Sequence, residues 1–363
     1  MTTSAMAPTA PPSLEPAQAL AMCRARALMR GIDASDFDRL SAAITDWNSW
    51  WTEWSALGAH WEELAARYES SGWAHSAGQA GVRAGLAYHF AKLFAVCDEE
   101  IYRETTLRCV AACRRGLELL PESFERIEVP FDGHYIVGHL RKPLGAERPP
   151  LVLLVPGLES VKEEFPRWED EFLARGMATL SMDGPGQGEV GFELRIRPDY
   201  EAPVHAMLDA LSGRDDIDLA RIGGVGMSMG GYYVTRAAAF EPRIKAVTTN
   251  GGTRNLGADW DKGFIPPMYT AKFIWNLGAS SPEEGREKAH KLDLTDVLER
   301  IKVPLLVIYG EKDPLVDIDL DGHAIVDAVG GELWVFPGGN HGVTNFAQEH
   351  LGPAADWLHS KLA

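Results

Sequence analysis

The chain has 363 residues, 45% apolar and 24% charged, with a formal net charge of −17. This composition suits a soluble globular protein with ample material for a core. An acidic chain without a Lys/Arg cluster repels phosphate, which excludes nucleic acid as a partner, and no run of about eighteen apolar residues offers a membrane span.

The length invites two units, a catalytic domain and an accessory one. Residues 1–16 are rich in Ala, Pro and Thr, lack the basic start and apolar centre of a signal peptide, and read as a disordered leader. Cys23, Cys97, Cys109 and Cys113 show no CxxC spacing. They fit a reduced, cytoplasmic protein, with neither a metal nor a cofactor expected.

Residues 17–122 have a helical pattern. Helices are expected over Ala17–Arg30, stopped by Gly31, and from an Asp33 or Ser35 cap through Ile44. Others are expected over Asp46–Tyr68, Ser76–Val96 and Asp98–Leu120. Trp47, Trp50, Trp51 and Trp54 recur at three- and four-residue intervals, which puts them on one helical face. Such a stripe is expected to pack this domain onto the rest of the chain, with some rings free to reach a pocket between the two.

Residues 123–363 read as an α/β domain. Arg126–Phe131 and His134–Lys142 alternate as a hairpin across Asp132-Gly133. Leu151–Val155 is a continuous apolar run, as strands buried on both faces are, and Ala178–Met182 reads as the next buried strand. The first opens into Pro156-Gly157-Leu158-Glu159-Ser160 and a helix through Arg175. The second ends in Asp183-Gly184-Pro185-Gly186-Gln187-Gly188-Glu189, which lacks the Lys and Gly spacing of a nucleotide fingerprint and reads as a structural turn. A helix near Pro203–Leu211 precedes the next strand.

That strand, Ile222–Val225, runs into Gly226-Met227-Ser228-Met229-Gly230, and a helical stretch over Tyr232–Phe240 follows. G-x-S-x-G between strand and helix is the nucleophile elbow of α/β-hydrolases. It exposes the Ser228 hydroxyl and leaves the Met229 N–H, at a helix N-terminus, facing a developing oxyanion. The loop after the third strand supplies the second oxyanion donor in this fold, here the Leu158 N–H. Ile244–Thr249 is the sixth strand, and the aromatic segment over about 250–292 reads as a cap insertion. Val303–Tyr309 and Glu332–Phe336 are the last two strands, and a helix over Phe346–Leu362 closes the chain.

The seventh strand ends near Asp313 and the eighth near His341, so Ser228, Asp313 and His341 follow strand ends in the chain order of this fold. His341 would take the Ser228 proton while Asp313 fixes its tautomer. Asp317 is a rival acid, and His134, His205 and His323 read as surface or packing residues. Strands alternating with helices after a hairpin predict a mostly parallel eight-stranded sheet with helices on both faces, preceded by an all-helical N-terminal domain.

Gly157-Leu158-Glu159-Ser160-x-Lys162-Glu163-Glu164, Met177-Ala178-Thr179 and Asp183-Gly184-Pro185-Gly186-Gln187-Gly188-Glu189 together resemble the 2,6-dihydroxypseudooxynicotine hydrolase group. The fungal polyketide-shortening hydrolases and the broader FrsA-like esterases are related. The resemblance covers about Arg126 to the C-terminus. It implies a serine hydrolase that cleaves a C–C bond beside a carbonyl in an aromatic β-diketone-like compound, and a homodimer whose helical domain covers the site. It also implies an additional acid near the substrate, for which Asp259 and Asp261 are available. Glu159, Asp259 and Trp260 are the candidate substrate-binding residues. Alternatives are an esterase or lactonase acting on small aromatic esters, and a catalytically idle scaffold that binds a ligand or partner.

Overall fold

The computed structural model describes residues 14–93, 99–265 and 267–363. Most of the expected leader, together with Cys97 and the junction of the last two N-terminal helices, lies outside the described residues.

Helices α1 (Pro16–Arg30), α2 (Ala34–Ala43), α3 (Trp47–Ser70), α4 (Ala74–Lys92) and α5 (Glu99–Glu118) precede the first strand. Each start has a local cause. Pro16 sits at the first position of α1, while Asp33 and Asp46 cap α2 and α3 by accepting from the backbone N–H of Ser35 and Ser49. The α4–α5 seam is built from small residues. A Cβ on Gly81 would lie 2.8 Å from the Gly116 Cα, so the two backbones nearly touch.

The tryptophan stripe does not dock this region onto the sheet. Trp50 and Trp54 are fully buried with Leu20, Phe37, Leu40 and Phe90 in a core belonging to the helices themselves. Trp54 stacks on Phe90 with centroids 5.1 Å apart. Five helices need an interior of their own, and the widest side chains fill it.

Eight strands follow: β1 (Ser123–Phe131), β2 (His134–Lys142), β3 (Pro150–Val155), β4 (Ala178–Asp183), β5 (Asp218–Met227), β6 (Ile244–Asn250), β7 (Leu305–Gly310) and β8 (Glu332–Phe336). Their order is β1-β2-β4-β3-β5-β6-β7-β8, with β2 antiparallel to both neighbours and the remaining pairs parallel. Side chains alternate across the sheet. Leu151, Leu153 and Val155 face the core under α7 (Glu201–Ala210) and α8 (Met229–Phe240), whereas Val152 and Leu154 face α6 (Pro166–Leu173) and α13 (Ala347–Leu362). Between β6 and β7 stand α9 (Leu256–Asp261), α10 (Pro267–Asn276) and α11 (Pro282–Ala289), and α12 (Ala324–Val329) lies between β7 and β8. Among the described residues, no helix is long and apolar enough to cross a membrane.

Candidate active site

Ser228 sits between β5 and α8 with φ 56 and ψ −128, a conformation that costs a non-glycine residue about 1–3 kcal/mol. The turn closes only because its flanks lack side chains. A Cβ on Gly226 would overlap the Gly230 carbonyl, and one on Gly230 would overlap the Val155 carbonyl. The Ser228 N–H donates to the Asn250 carbonyl at 2.8 Å, which ties the turn to β6.

His341 Nε2 lies 2.9 Å from Ser228 Oγ, and Nδ1 lies 2.8 and 3.0 Å from the two Asp313 oxygens. The Asp313 side chain is fully buried and its carboxylate also accepts from the Leu315 N–H at 2.9 Å. The His341 turn is strained as well, since Val343, a β-branched residue, has φ 51. Asn250 Nδ2 donates to the Gly342 carbonyl at 2.9 Å and holds that turn against β6. The structure thus brings Ser228, His341 and Asp313 into one hydrogen-bonded line. Asp317 is not part of it, because its carboxylate accepts from the N–H of Asp319 and Leu320 at the next helical turn.

Met229 begins α8, so its N–H has no helical acceptor. The loop carrying Leu158 packs directly on the elbow, where a Cβ on Gly157 would lie 3.0 Å from Ser228 Cβ and 3.5 Å from Met229 N. Gln187 donates to the Pro156 carbonyl, and the Asp183-to-Glu189 turn supports the loop in a second way. Lys162 Nζ reaches Asp183, Glu163 and Glu189 at 2.9, 2.7 and 2.6 Å. These three acids have spacing that could hold a metal ion, and the ammonium fills their centre. The charges of the three acids, acting against burial, hold the Lys162 pKa well above its ordinary value.

A pocket over Ser228 is lined by Leu158, Glu159, Met229, His341, Asp259 and the apolar Leu256, Ile265, Phe273, Leu315 and Val316. Asp259 accepts from the Thr253 hydroxyl and is hydrogen-bonded to Asp321. Burial, then the neighbouring Asp321 charge, pushes its carboxyl up to about 8. Burial also raises the Glu159 carboxyl, against the opposing charges of Lys272, Arg26 and Lys92.

Trp260 is not brought into this pocket. It packs on Phe273 with centroids 6.0 Å apart and borders a surface groove with Pro282 and Arg286. Asp261 likewise turns outward, to Arg286 at 2.5 Å and His290 at 3.2 Å. A helix turn separates residues one and two positions apart by about 100° and 200°, so only Asp259 of this trio faces inward.

Sequence reasoning missed Arg26, which enters the pocket wall from α1. Its Nε and Nη2 each lie 2.6 Å from a Glu164 oxygen. Arg30 adds a third contact at 3.1 Å and stacks over Phe165 at 4.5 Å. No local signal singles out Arg26, because α1 also carries Arg24 and Arg30 and the sequence gives all three the same surroundings.

A sequence model of the family described as "Esterase FrsA-like" matches residues 14–363. The chain is 33% identical over 293 residues to the 2,6-dihydropseudooxynicotine hydrolase of Paenarthrobacter nicotinovorans, covering 79% of this chain and 77% of that one. It is 27% identical to the hydrolyase poxO of Penicillium oxalicum, over 58% of this chain and 62% of that one. Among solved structures, 2,6-dihydroxy-pseudo-oxynicotine hydrolase superposes with a TM-score of 0.86 at 31% identity, over 94% of this chain and 96% of that one. AbyA5, with a TM-score of 0.71 at 21% identity over 91% and 95% of the two chains, shares the fold.

Proposed function

Because this chain belongs to the FrsA-like esterase family and has the α/β-hydrolase fold, we propose that it is a serine hydrolase cleaving a C–C bond beside a carbonyl in an aromatic β-diketone-like compound. The observation that carries this reading is the hydrogen-bonded line from Asp313 through His341 to Ser228 Oγ at the floor of a largely apolar pocket.

Ser228 Oγ attacks the carbonyl carbon and its proton passes to His341 Nε2, with Asp313 stabilising the imidazolium. The oxyanion is met by the N–H groups of Leu158 and Met229. Collapse of the tetrahedral adduct breaks the C–C bond, and the electron pair moves onto the neighbouring carbonyl as an enolate. That enolate takes the proton from His341, either directly or by way of Asp259, whose carboxyl, raised to about 8, gives up its own proton and is reprotonated from His341, so that His341 is neutral again. Water, deprotonated by His341, then releases the acyl group as a carboxylic acid. The sum is one diketone and one water giving one acid and one ketone.

Hydrolysis of a small aromatic ester or lactone is a second reading, favoured by the family's description as an esterase. It uses the same residues, but an alkoxide leaves without needing an enolate. A matched aryl β-diketone and aryl ester separate the two, with Ser228→Ala as the blank. Comparable kcat/KM on both supports C–C cleavage, and turnover of the ester alone moves the assignment to esters. An idle scaffold would neither turn over substrate nor be labelled at Ser228 by a fluorophosphonate. The further partner we propose is a second copy of this chain, which sedimentation tests.

A further inference from the structure

We infer that Arg26, Glu164 and Ser160 form a positioning unit through which helix α1 sets the oxyanion donor Leu158, so that the helical region completes the catalytic centre as well as covering it. The inference rests on the serine-hydrolase reading above, since it concerns where the Leu158 N–H stands relative to Ser228.

The loop from Pro156 to Glu164 is anchored to the sheet domain at its two ends. Gln187 holds the Pro156 carbonyl, and Asp183 accepts from both the backbone N–H and the Nζ of Lys162, each at 2.9 Å. Between these anchors, among the described residues, the side-chain hydrogen bonds to residues 157–161 come from α10, from α1 and from Glu164 at the end of the loop. Asn276, in the α10 helix of the cap, approaches the Leu158 carbonyl at 3.5 Å. Arg26 Nη2 donates to Ser160 Oγ at 3.1 Å, and Ser160 Oγ donates to Glu164 Oε2 at 2.6 Å.

Ser160 is therefore bound on two sides by a buried ion pair whose cation belongs to α1. Glu164 has no exposed surface and is surrounded by Arg26, Arg30 and His89 Nε2, the last at 3.2 Å. A carboxylate held by three groups in a dry site cannot drift, and its neighbours inherit that fixity. Leu158 is two residues from Ser160, so a change in the Ser160 tether shifts the peptide whose N–H must meet the oxyanion. Arg26 and Glu164 act through that peptide and need not touch the reacting atoms.

The test uses full-length Ser160→Ala and Arg26→Lys, both checked for folding by thermal melting. Lysine keeps the charge but cannot grip Glu164 and Ser160 together. Each variant should lose about 10- to 100-fold in kcat, with KM within about twofold. Affinity for a trifluoromethyl ketone, which presents the tetrahedral oxyanion, should fall by the same factor as kcat/KM. Affinity for a non-hydrolysable ground-state analogue should hold. Wild-type kcat in folded Ser160→Ala overturns the inference, as does equal loss of affinity for both analogues. If Arg26→Lys does not fold, Ser160→Ala decides alone. Failure of the wild-type enzyme to react with a fluorophosphonate would instead defeat the underlying serine-hydrolase reading, which separates the two failures.

Discussion

Arg26 and Glu164 stand 138 positions apart in the chain and meet through two contacts of 2.6 Å each. Burial alone would raise the Glu164 pKa, but the charges of Arg26 and Arg30 hold it well below the usual carboxylate range. Breaking such a buried pair from one side leaves an uncompensated charge, at a cost of about 3–5 kcal/mol. The N-terminal helices and the loop after β3 are thus one electrostatic structure.

Deleting residues 17–120 removes Arg26, Arg30 and His89 together and strands Glu164. It also uncovers the pocket wall to which Arg26 contributes. The truncated chain should aggregate or bind a hydrophobic dye, and should show no turnover. A soluble truncation with full activity would show that the helices take no part in the site.

Ser228→Gly should abolish turnover by about 10⁴-fold or more. It should also stabilise the protein. The φ of 56 strains serine, and relief of about 1–3 kcal/mol exceeds the entropy that glycine adds to the unfolded chain, about 0.4–1 kcal/mol. A melting temperature raised by a few degrees in the inactive variant checks this. A fall would mean that the elbow stores no strain.

Asp259→Asn should change how stability depends on pH. The folded carboxyl is raised from 3.8 to about 8, so the folded state keeps a proton that the unfolded chain releases. Stability from this group is complete below about pH 4 and is lost as pH rises through about 8. Between pH 6 and 9 the wild type should lose about 2–3 kcal/mol that the asparagine variant retains. Urea melts at the two pH values measure it, and parallel losses in both proteins would count against a proton held on Asp259.

Phe273→Ala and Trp260→Phe should part company. Phe273 lines the pocket, so truncation should raise KM about tenfold for an aromatic substrate. Trp260 touches the outer side of Phe273, and its conservative replacement should leave kcat/KM within about twofold. Steady-state kinetics on one aryl substrate decide, and a larger effect at Trp260 would reverse the assignment of the pocket wall.

Local pattern carries much of this protein's architecture. A continuous apolar run as short as Leu151–Val155, followed at once by Pro156-Gly157, reads as a strand covered on both faces, and the chain order of strands and helices then leaves few sheets to choose from. Glycines at 226 and 230 around Ser228 mark a turn too tight for side chains, which the overlaps at Val155 and Gly230 explain. Ser228, Asp313 and His341 follow strand ends, so a parallel sheet brings them to one edge. Periodicity, however, states which face of a helix is apolar and not what that face meets. The Trp50 and Trp54 face fills the helical core, while the adjacent positions Asp259, Trp260 and Asp261 divide between pocket and surface. Arg26 reads locally as one more solvated arginine. Only the docking of α1 on the loop after β3, through an ion pair formed across 138 residues, makes it part of the pocket wall. Such long-range pairing has no local signature, because its energy exists only once both partners are desolvated together.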